Sequence, residues 1–377
     1  MEITKELREL AKFSGGTLPV VSVYLDTQWR DQHQREQVLT FLTRHLRQAR
    51  LLTLEQAEAQ ASLDADLARL EAWQEKLRHR TLEVTAPGYA LFACNGAGLW
   101  VELPAPVPFE NEFTIAERPA LRQLARLDED YTNALVVLVD SRAARVCEVV
   151  LGGLLSETAF NAEVPGRHKQ GGWAQMRYQR HVKDHIDRHH KEVADYLIAC
   201  LQRQPHARLI LAGPEEVRAN FRRFLPPAVQ PQVLEAASLD LHAPETRIVE
   251  VARQVLERHE REEEQATVEL LLSRAARGGL AVVGRQETLA AANTGRVHKL
   301  VMHRDLRHPG WRCTACGWLG EEAPPAACPA CGGTPAAVDL GEALVARVLA
   351  LDGEVELIAP DPRLAAYEGV GALLRYK

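Results

Sequence analysis

The stretch P-G-R-H-K-Q-G-G-W-A-Q-M-R-Y-Q-R-H-V-K-D-H-I-D-R-H-H-K-E-V-A-D-Y-L, Pro165 to Leu197, decides how the rest of the chain is read. It opens as a basic loop ending in Gly171-Gly172 and runs into a histidine-rich, basic helix that no Gly or Pro interrupts. A diglycine at a helix entry leaves backbone N–H groups uncovered and lets another molecule approach closely, while the first helical turn presents unpaired donors. Arg167, Lys169, Arg177, Arg180 and Lys183 concentrate positive charge here, in a chain whose formal net charge is -6. The pattern predicts contact with a phosphate backbone. The blander reading of the same charges is a solvated helix, with Arg180 spaced to pair with Asp184.

Working outward, a chain of 377 residues is too long for one core and predicts two or three domains. Hydrophobic and charged contents of 46% and 25% are those of ordinary globular protein. No apolar run reaches bilayer length and the N-terminal M-E-I-T-K-E-L-R-E-L lacks an apolar signal core, so a cytoplasmic protein with no membrane partner is expected. Seven cysteines do not make a disulfide scaffold in a chain this long. Four of them sit in paired C-x-x-C units, which points to metal in a reducing compartment.

Periodicity places elements on both sides of the basic helix. Val20–Leu25 reads as a strand, followed by helices over 35–51 and 54–80, the second carrying Leu63, Leu67, Leu70, Trp73 and Leu77 at three- and four-residue spacing. Tyr89–Cys94 and Leu99–Leu103 flank N-G-A-G as a hairpin, and 119–127 reads as a short helix. Ala134–Val139 is a near-continuous apolar strand, with further strands over 145–150 and 154–160. After the basic helix come a strand ending at Gly213-Pro214, a helix over 215–224, and one long helix over 245–274 with a solvated acidic middle. The last segment reads βαβ over 280–302, then a helix over 341–351 and strands over 354–358 and 372–376. Strands alternating with helices predict an α/β (α+β) fold.

Between Met302 and Asp339 the composition changes. Cys313, Cys316, Cys328 and Cys331 form two C-x-x-C knuckles, each putting two thiolates on one tight turn, with Gly317 and Gly332 freeing backbone N–H groups toward sulfur. Two such knuckles close a tetrahedral four-sulfur site suited to Zn2+, and four protein ligands leave no open position, so the zinc is expected to be structural. His181, His185 and His189 repeat every fourth residue and could reach one metal. The residues Val182-Lys183-Asp184 between the first two do not place a carboxylate where a zinc protease needs its base, and the histidines read more simply as a basic face. Cys94, Cys147 and Cys200 read as buried small apolar residues.

In this order the parts resemble the archaeal and eukaryotic class-1 peptide-chain release factors and their pelota-like relatives, and look most like the bacterial branch of that superfamily. G-G-W-A-Q-M-R-Y-Q-R at 171–180 is similar to the family's G-G-Q-S-A-x-R-F-x-R, and R-L-I-L-A-G-P at 208–214 to the strand after it. L-A-V-V-G-R-Q-E-T-L-A-A-A-N-T-G-R-V at 280–297 resembles the start of the family's C-terminal domain, and E-G-V-G-A-L-L-R-Y at 368–376 its closing G-G-I-G-G-I-L-R-Y. The resemblance implies three domains: an N-terminal domain over 1–129, a central domain over 130–260, and a C-terminal domain over 261–377 carrying a zinc ribbon at 311–333. It implies the ribosome as partner, through rRNA and peptidyl-tRNA, and leaves open a translational GTPase docked on the C-terminal domain. By the same resemblance the site is Gly171, Gly172, Trp173 and Gln175, with Arg167, Lys169, Arg177, Arg180 and Lys183 binding RNA.

In the family the Gly-Gly-Gln loop lets water attack the ester that joins peptide to tRNA, through glycine conformations and a backbone N–H that stabilises the oxyanion. Here Trp173 stands at the glutamine position and Gln175 lies two residues on. Either Gln175 serves from a shifted register or the loop binds without hydrolysing. Nothing near Leu51-Leu52-Thr53 resembles the family's N-I-K-S codon-reading tetrapeptide, so stop-codon reading is not expected. The readings are therefore a codon-independent peptidyl-tRNA hydrolase in termination, rescue or quality control; a non-catalytic factor occupying the ribosomal A site in protection or hibernation; and a tRNA or rRNA nuclease using the histidine-rich helix.

Overall fold

The computed structural model describes residues 3–29, 31–82, 86–105, 107–130, 133–150, 153–161, 173–204, 207–236, 239–321 and 323–377. The chain divides into two compact units, Met1–Glu129 with Glu264–Lys377, and Asp130–Glu263.

The first unit begins with α1 (Ile3–Lys12), β1 (Val20–Asp26), α2 (Gln32–Ala49) and α3 (Ala57–His79). It continues through β2 (Gly88–Cys94), β3 (Leu99–Ala105), β4 (Glu112–Ala116) and α4 (Arg122–Asp130). The four strands form an antiparallel sheet in the order β3-β2-β1-β4. Strand alternation splits β1: Val21, Val23 and Leu25 face the helical hairpin, while Tyr24 faces the opposite core. Asp31 caps α2 by accepting from the Gln34 N–H at 2.8 Å, and α3 closes on Arg80 in a left-handed conformation, φ 55°. The predicted stripe Leu63, Leu67, Leu70, Trp73 and Leu77 is buried against that sheet, Trp73 meeting Tyr89 edge-on at 5.2 Å. The sequence pattern predicts neither the strand β4 nor the helix α1. Both are short, and β4 earns its place only as the edge partner of β1.

The second unit holds β5 (Ala134–Val139), β6 (Ala143–Val150), β7 (Gly153–Asn161), α5 (Trp173–Arg203), β8 (Arg208–Ala212), α6 (Glu215–Arg222), β9 (Val233–Ala236) and the start of α7 (Glu245–Ala276). Its sheet runs β7-β6-β5-β8-β9, with β5, β8 and β9 parallel. Every residue of β5 is buried because helices cover both faces. Leu135, Val137 and Val139 pack toward Val193, Leu197 and Phe221, while Ala134, Val136 and Leu138 pack toward Ile248, Val251 and Val255 of α7. Gly213 has φ +123°, and a Cβ there would lie 2.2 Å from the Val139 carbonyl oxygen, so the turn after β8 needs glycine.

The last turns of α7 return to the first unit, burying Val268 and Leu271. There follow β10 (Ala281–Val283), α8 (Arg285–Asn293), β11 (Val297–His303), β12 (Pro309–Cys313), β13 (Leu319–Glu321), β14 (Pro335–Asp339), α9 (Leu340–Ala350), β15 (Glu354–Ile358), α10 (Pro362–Ala365) and β16 (Val370–Leu374). One mixed sheet runs β10-β16-β11-β15, and a separate three-stranded ribbon runs β13-β12-β14. The closing strand starts at Val370, two residues before the sequence expectation, because Gly369 turns at φ +72° and Val370 pairs with Met302. Leu7, Leu10, Tyr24, Leu121 and Leu124 share one core cluster with Leu344 and Val348 of α9. Above it Arg122, its side chain 6% exposed, donates to the Leu306 carbonyl at 2.8 Å and to Asp339 at 2.6 Å, with Glu342 at 3.6 Å. Among the described residues, no helix is long and apolar enough to cross a membrane.

Candidate functional site

Helix α5 has 31 residues, about 46 Å at 1.5 Å per residue. Its C-terminal half is rooted: Val193, Ala194, Leu197 and Cys200 are buried in the unit's core. The Tyr196 hydroxyl lies 2.9 Å from that of Thr158, and Gln204 donates to Glu148 at 3.2 Å. Between Arg180 and Arg188 no residue is buried, a span of about 13 Å along the helix. Arg180 and Lys183 are exposed there and form no ion pair among the described residues, so the spacing of Arg180 to Asp184 does not produce the salt bridge it allows. Trp173, Gln175 and Arg177 fall in the first turns of the helix. Arg167, Lys169, Gly171 and Gly172 lie outside the described residues. The described part of the helix is rooted through its C-terminal half and carries exposed cations between Arg180 and Arg188, with the positive end of the helix dipole toward Trp173.

The histidines separate into two environments. His181 is exposed and His185 half-buried, their rings 4.6 Å apart, whereas His189 and His190 are 2% and 1% exposed. His190 packs edge-on to Phe221 and Phe224 and meets the Asn220 amide at 3.3 Å. Burial pushes both pKa values down, against the nearby carboxylate of Asp140, which favours the charged forms. His189 is therefore part of the core rather than of a basic face. No metal-binding group is found at the histidines among the described residues.

The metal-ligand prediction falls on described residues. The sulfurs of Cys313, Cys316, Cys328 and Cys331 all lie within 4.8 Å of one another. Cys313 and Cys331 approach to 3.5 Å and Cys316 and Cys328 to 3.7 Å, far beyond the roughly 2 Å of a disulfide. Gly317 and Gly332 adopt φ +72° and +75°, closing the two knuckles through N–H donation to the Cys313 and Cys328 carbonyls at 2.9 and 2.8 Å. The Ala330 and Gly333 N–H groups point at the Cys328 and Cys331 sulfurs at 3.4 Å. Crowding sets the thiols against each other. Burial raises Cys313, but backbone and thiol donors bring it down to about 6. Cys331, despite the Gly333 N–H, is pushed up to about 12 by its neighbouring cysteines. Four thiolates at this spacing call for a cation, and these residues can hold one metal ion. Cys94, Cys147 and Cys200 are buried and free, as expected.

The structure adds a surface that the sequence reading missed. A groove of about 800 Å³ along α2 is lined by Arg35, Arg44, Arg47 and Arg78, with Glu36 among them. Arg44 and Arg47 are exposed and form no ion pair among the described residues. At the α2–α3 turn, Leu51 and Leu52 are 82% and 45% exposed. The signal was present as basic residues at helical spacing on the polar side of α2, but it needs Arg78 from the far end of α3 to become a groove.

Residues 119–264 match the family model described as Bacterial archaeo-eukaryotic release factor family 10. The chain is 23% identical to peptide chain release factor subunit 1 of Thermococcus onnurineus, over 100% of this chain and 97% of that protein. It is 25% identical to the protein of the same name from Archaeoglobus fulgidus, over 84% and 79% of the two chains. Among solved structures it is similar to an archaeal translation termination factor, aRF1, at 17% identity and TM-score 0.26, covering 100% and 97%. It is also similar to Dom34 of S. cerevisiae at 12% identity and TM-score 0.44, covering 76% and 79%. The sequence is release-factor-like, as its motifs imply.

Proposed function

We propose that this protein is a ribosome-associated factor that presents the Gly171-Gly172-Trp173 head of α5 to peptidyl-tRNA and hydrolyses its ester without reading a codon. The observation that carries the reading is a family-like glycine motif in sequence just before a long helix whose C-terminal half is rooted in the core, with Arg180 and Lys183 exposed along the way. Arg167, Lys169, Arg177, Arg180 and Lys183 hold RNA phosphates, and the α2 groove adds a second cationic face. In the reaction water attacks the ester carbonyl carbon, the bond to the tRNA ribose oxygen breaks, and that oxygen takes the proton. Backbone N–H groups at Gly172 and Trp173 stabilise the oxyanion, and Gln175 positions water. The C-terminal segment is the surface on which a translational GTPase would dock.

Trp173 favours a second reading, in which the factor occupies the A site and its indole stacks on a nucleobase without chemistry. A nuclease reading would have to rest on His181 and His185, since burial removes His189 and His190 from any substrate. We read the metal as Zn2+: zinc–sulfur bonds of about 2.3 Å in a tetrahedron place sulfurs about 3.8 Å apart, close to the 3.5 and 3.7 Å of two pairs in a cluster whose sulfurs all lie within 4.8 Å. Its role is structural. Co-sedimentation with ribosomes across a salt series tests the partner. Arg180→Ala with Lys183→Ala is expected to weaken binding and flatten its salt slope, and unchanged binding would remove α5 from the interface.

A further inference from the structure

The knuckles sit beside an unusual concentration of positive charge. Arg312, immediately before the first ligand Cys313, is 8% exposed and pairs with Glu117 at 2.5 Å. Arg347 of α9 donates to the carbonyls of Cys316 at 3.4 Å and Asn293 at 3.3 Å, and a Cβ on Gly317 would lie 3.1 Å from its Nη1. Arg118, half-buried in the loop before α4, donates to the Ala11 carbonyl at 3.3 Å. Its charge is opposed first by burial and then by Arg312 and Arg347, with Glu117 acting in its favour. The Nε atoms of Arg118 and Arg347 are buried without a hydrogen-bond partner.

Three guanidiniums and one carboxylate leave a surplus of two positive charges, and such a surplus in a half-buried site is costly unless balanced. Zn2+ with four thiolates carries two negative charges. We propose that Arg118, Arg312 and Arg347 are the charge-compensating shell of the metal centre, and that metal loading thereby braces the ribbon against the loop before α4 and against α9. The apo ribbon lacks its anion and the three arginines repel; the loaded ribbon neutralises them. Metal binding is in this way coupled to packing between segments about 195 residues apart in sequence, Glu117 and Arg312.

The proposal rests on the zinc reading, and the experiment separates the two. Zinc content of the purified full chain is measured first, then zinc affinity by competition with a chromophoric chelator. Wild type without zinc, and unable to take it up, would sink the metal reading itself. If wild type binds, Arg347→Met is expected to weaken zinc about tenfold, the lower end for groups just outside the ligands. Arg347→Lys should stay within about threefold, since charge is kept. Arg118→Met, which removes no contact to a cysteine, should also weaken binding. Wild-type affinity in both Met variants would overturn the shell, and equal loss in the Lys and Met variants of Arg347 would reduce it to a hydrogen bond.

Discussion

Replacing Arg122 with methionine tests how the two ends of the chain are held in one unit. The guanidinium is 6% exposed and serves Asp339 at 2.6 Å and the Leu306 carbonyl at 2.8 Å, with Glu342 at 3.6 Å. Glu342 in turn accepts from the Leu121 and Arg122 N–H groups at the start of α4. Removing one partner of a buried ion pair costs about 3–5 kcal/mol. The Asp339 side chain keeps 31% exposure, so water rehydrates it in part, and Glu342, its pKa raised by burial to about 7, can take up a proton instead of standing as a bare charge, so the expected cost is about 2–3 kcal/mol. Methionine fills most of the volume, so no large cavity adds to this. For a unit of this size that is a fall in Tm of about 4–12 °C. Tryptophan fluorescence reads it well, because Trp29, Trp73, Trp100, Trp311 and Trp318 lie in the first unit and only Trp173 in the second. The carboxylate half of the argument is checked with Glu342→Gln. Burial raises the Glu342 pKa to about 7, so its charge contributes little and this variant should be near neutral at pH 6. A loss under 0.5 kcal/mol for Arg122→Met, on the order of a surface substitution, would refute the reasoning.

Chelation, or Cys328→Ser, should unfold the ribbon and red-shift Trp311 and Trp318 emission while leaving the β5-centred sheet intact, as structural zinc is worth about 10–16 kcal/mol of local folding; unchanged emission would count against a metal-dependent ribbon. Because burial lowers the pKa values of His189 and His190, the folded state prefers them neutral. Their contribution is therefore fully present above the ordinary histidine value of about 6.5 and lost as pH falls toward the lowered values. The urea midpoint of the second unit should drop between pH 7 and pH 5, and His190→Phe, seated between Phe221 and Phe224, should flatten that drop. Arg44→Ala with Arg47→Ala should reduce the salt slope of RNA binding by roughly two, about one per lost phosphate contact; an unchanged slope would make the α2 groove a bystander.

What could be read from the sequence follows the range of the forces involved. The α3 stripe and the all-buried β5 were legible because side-chain period and apolar content are local properties. The metal cluster was legible because C-x-x-C fixes two ligands on one turn, and only the meeting of the two knuckles needed the fold. Strand β4 was not, since Glu112–Ala116 has a mixed pattern and exists through its pairing with β1. Nor was the burial of His189, whose four-residue spacing from His185 suggested a shared face until α6 covered its neighbour His190. Arg122 and Asp339, 217 residues apart, and the arginines around the knuckles are juxtapositions that no window on the sequence contains.

The most direct measurement is release of labelled peptide from purified ribosomes carrying peptidyl-tRNA with an empty A site, comparing wild type, Gly172→Ala and Gln175→Ala. The account predicts release by wild type without any stop codon, abolished by Gly172→Ala and reduced at least tenfold by Gln175→Ala, roughly the smaller range for one positioned polar group. Tight co-sedimentation with no release by wild type would contradict it, leaving a ribosome-binding factor whose Trp173 has replaced the chemistry.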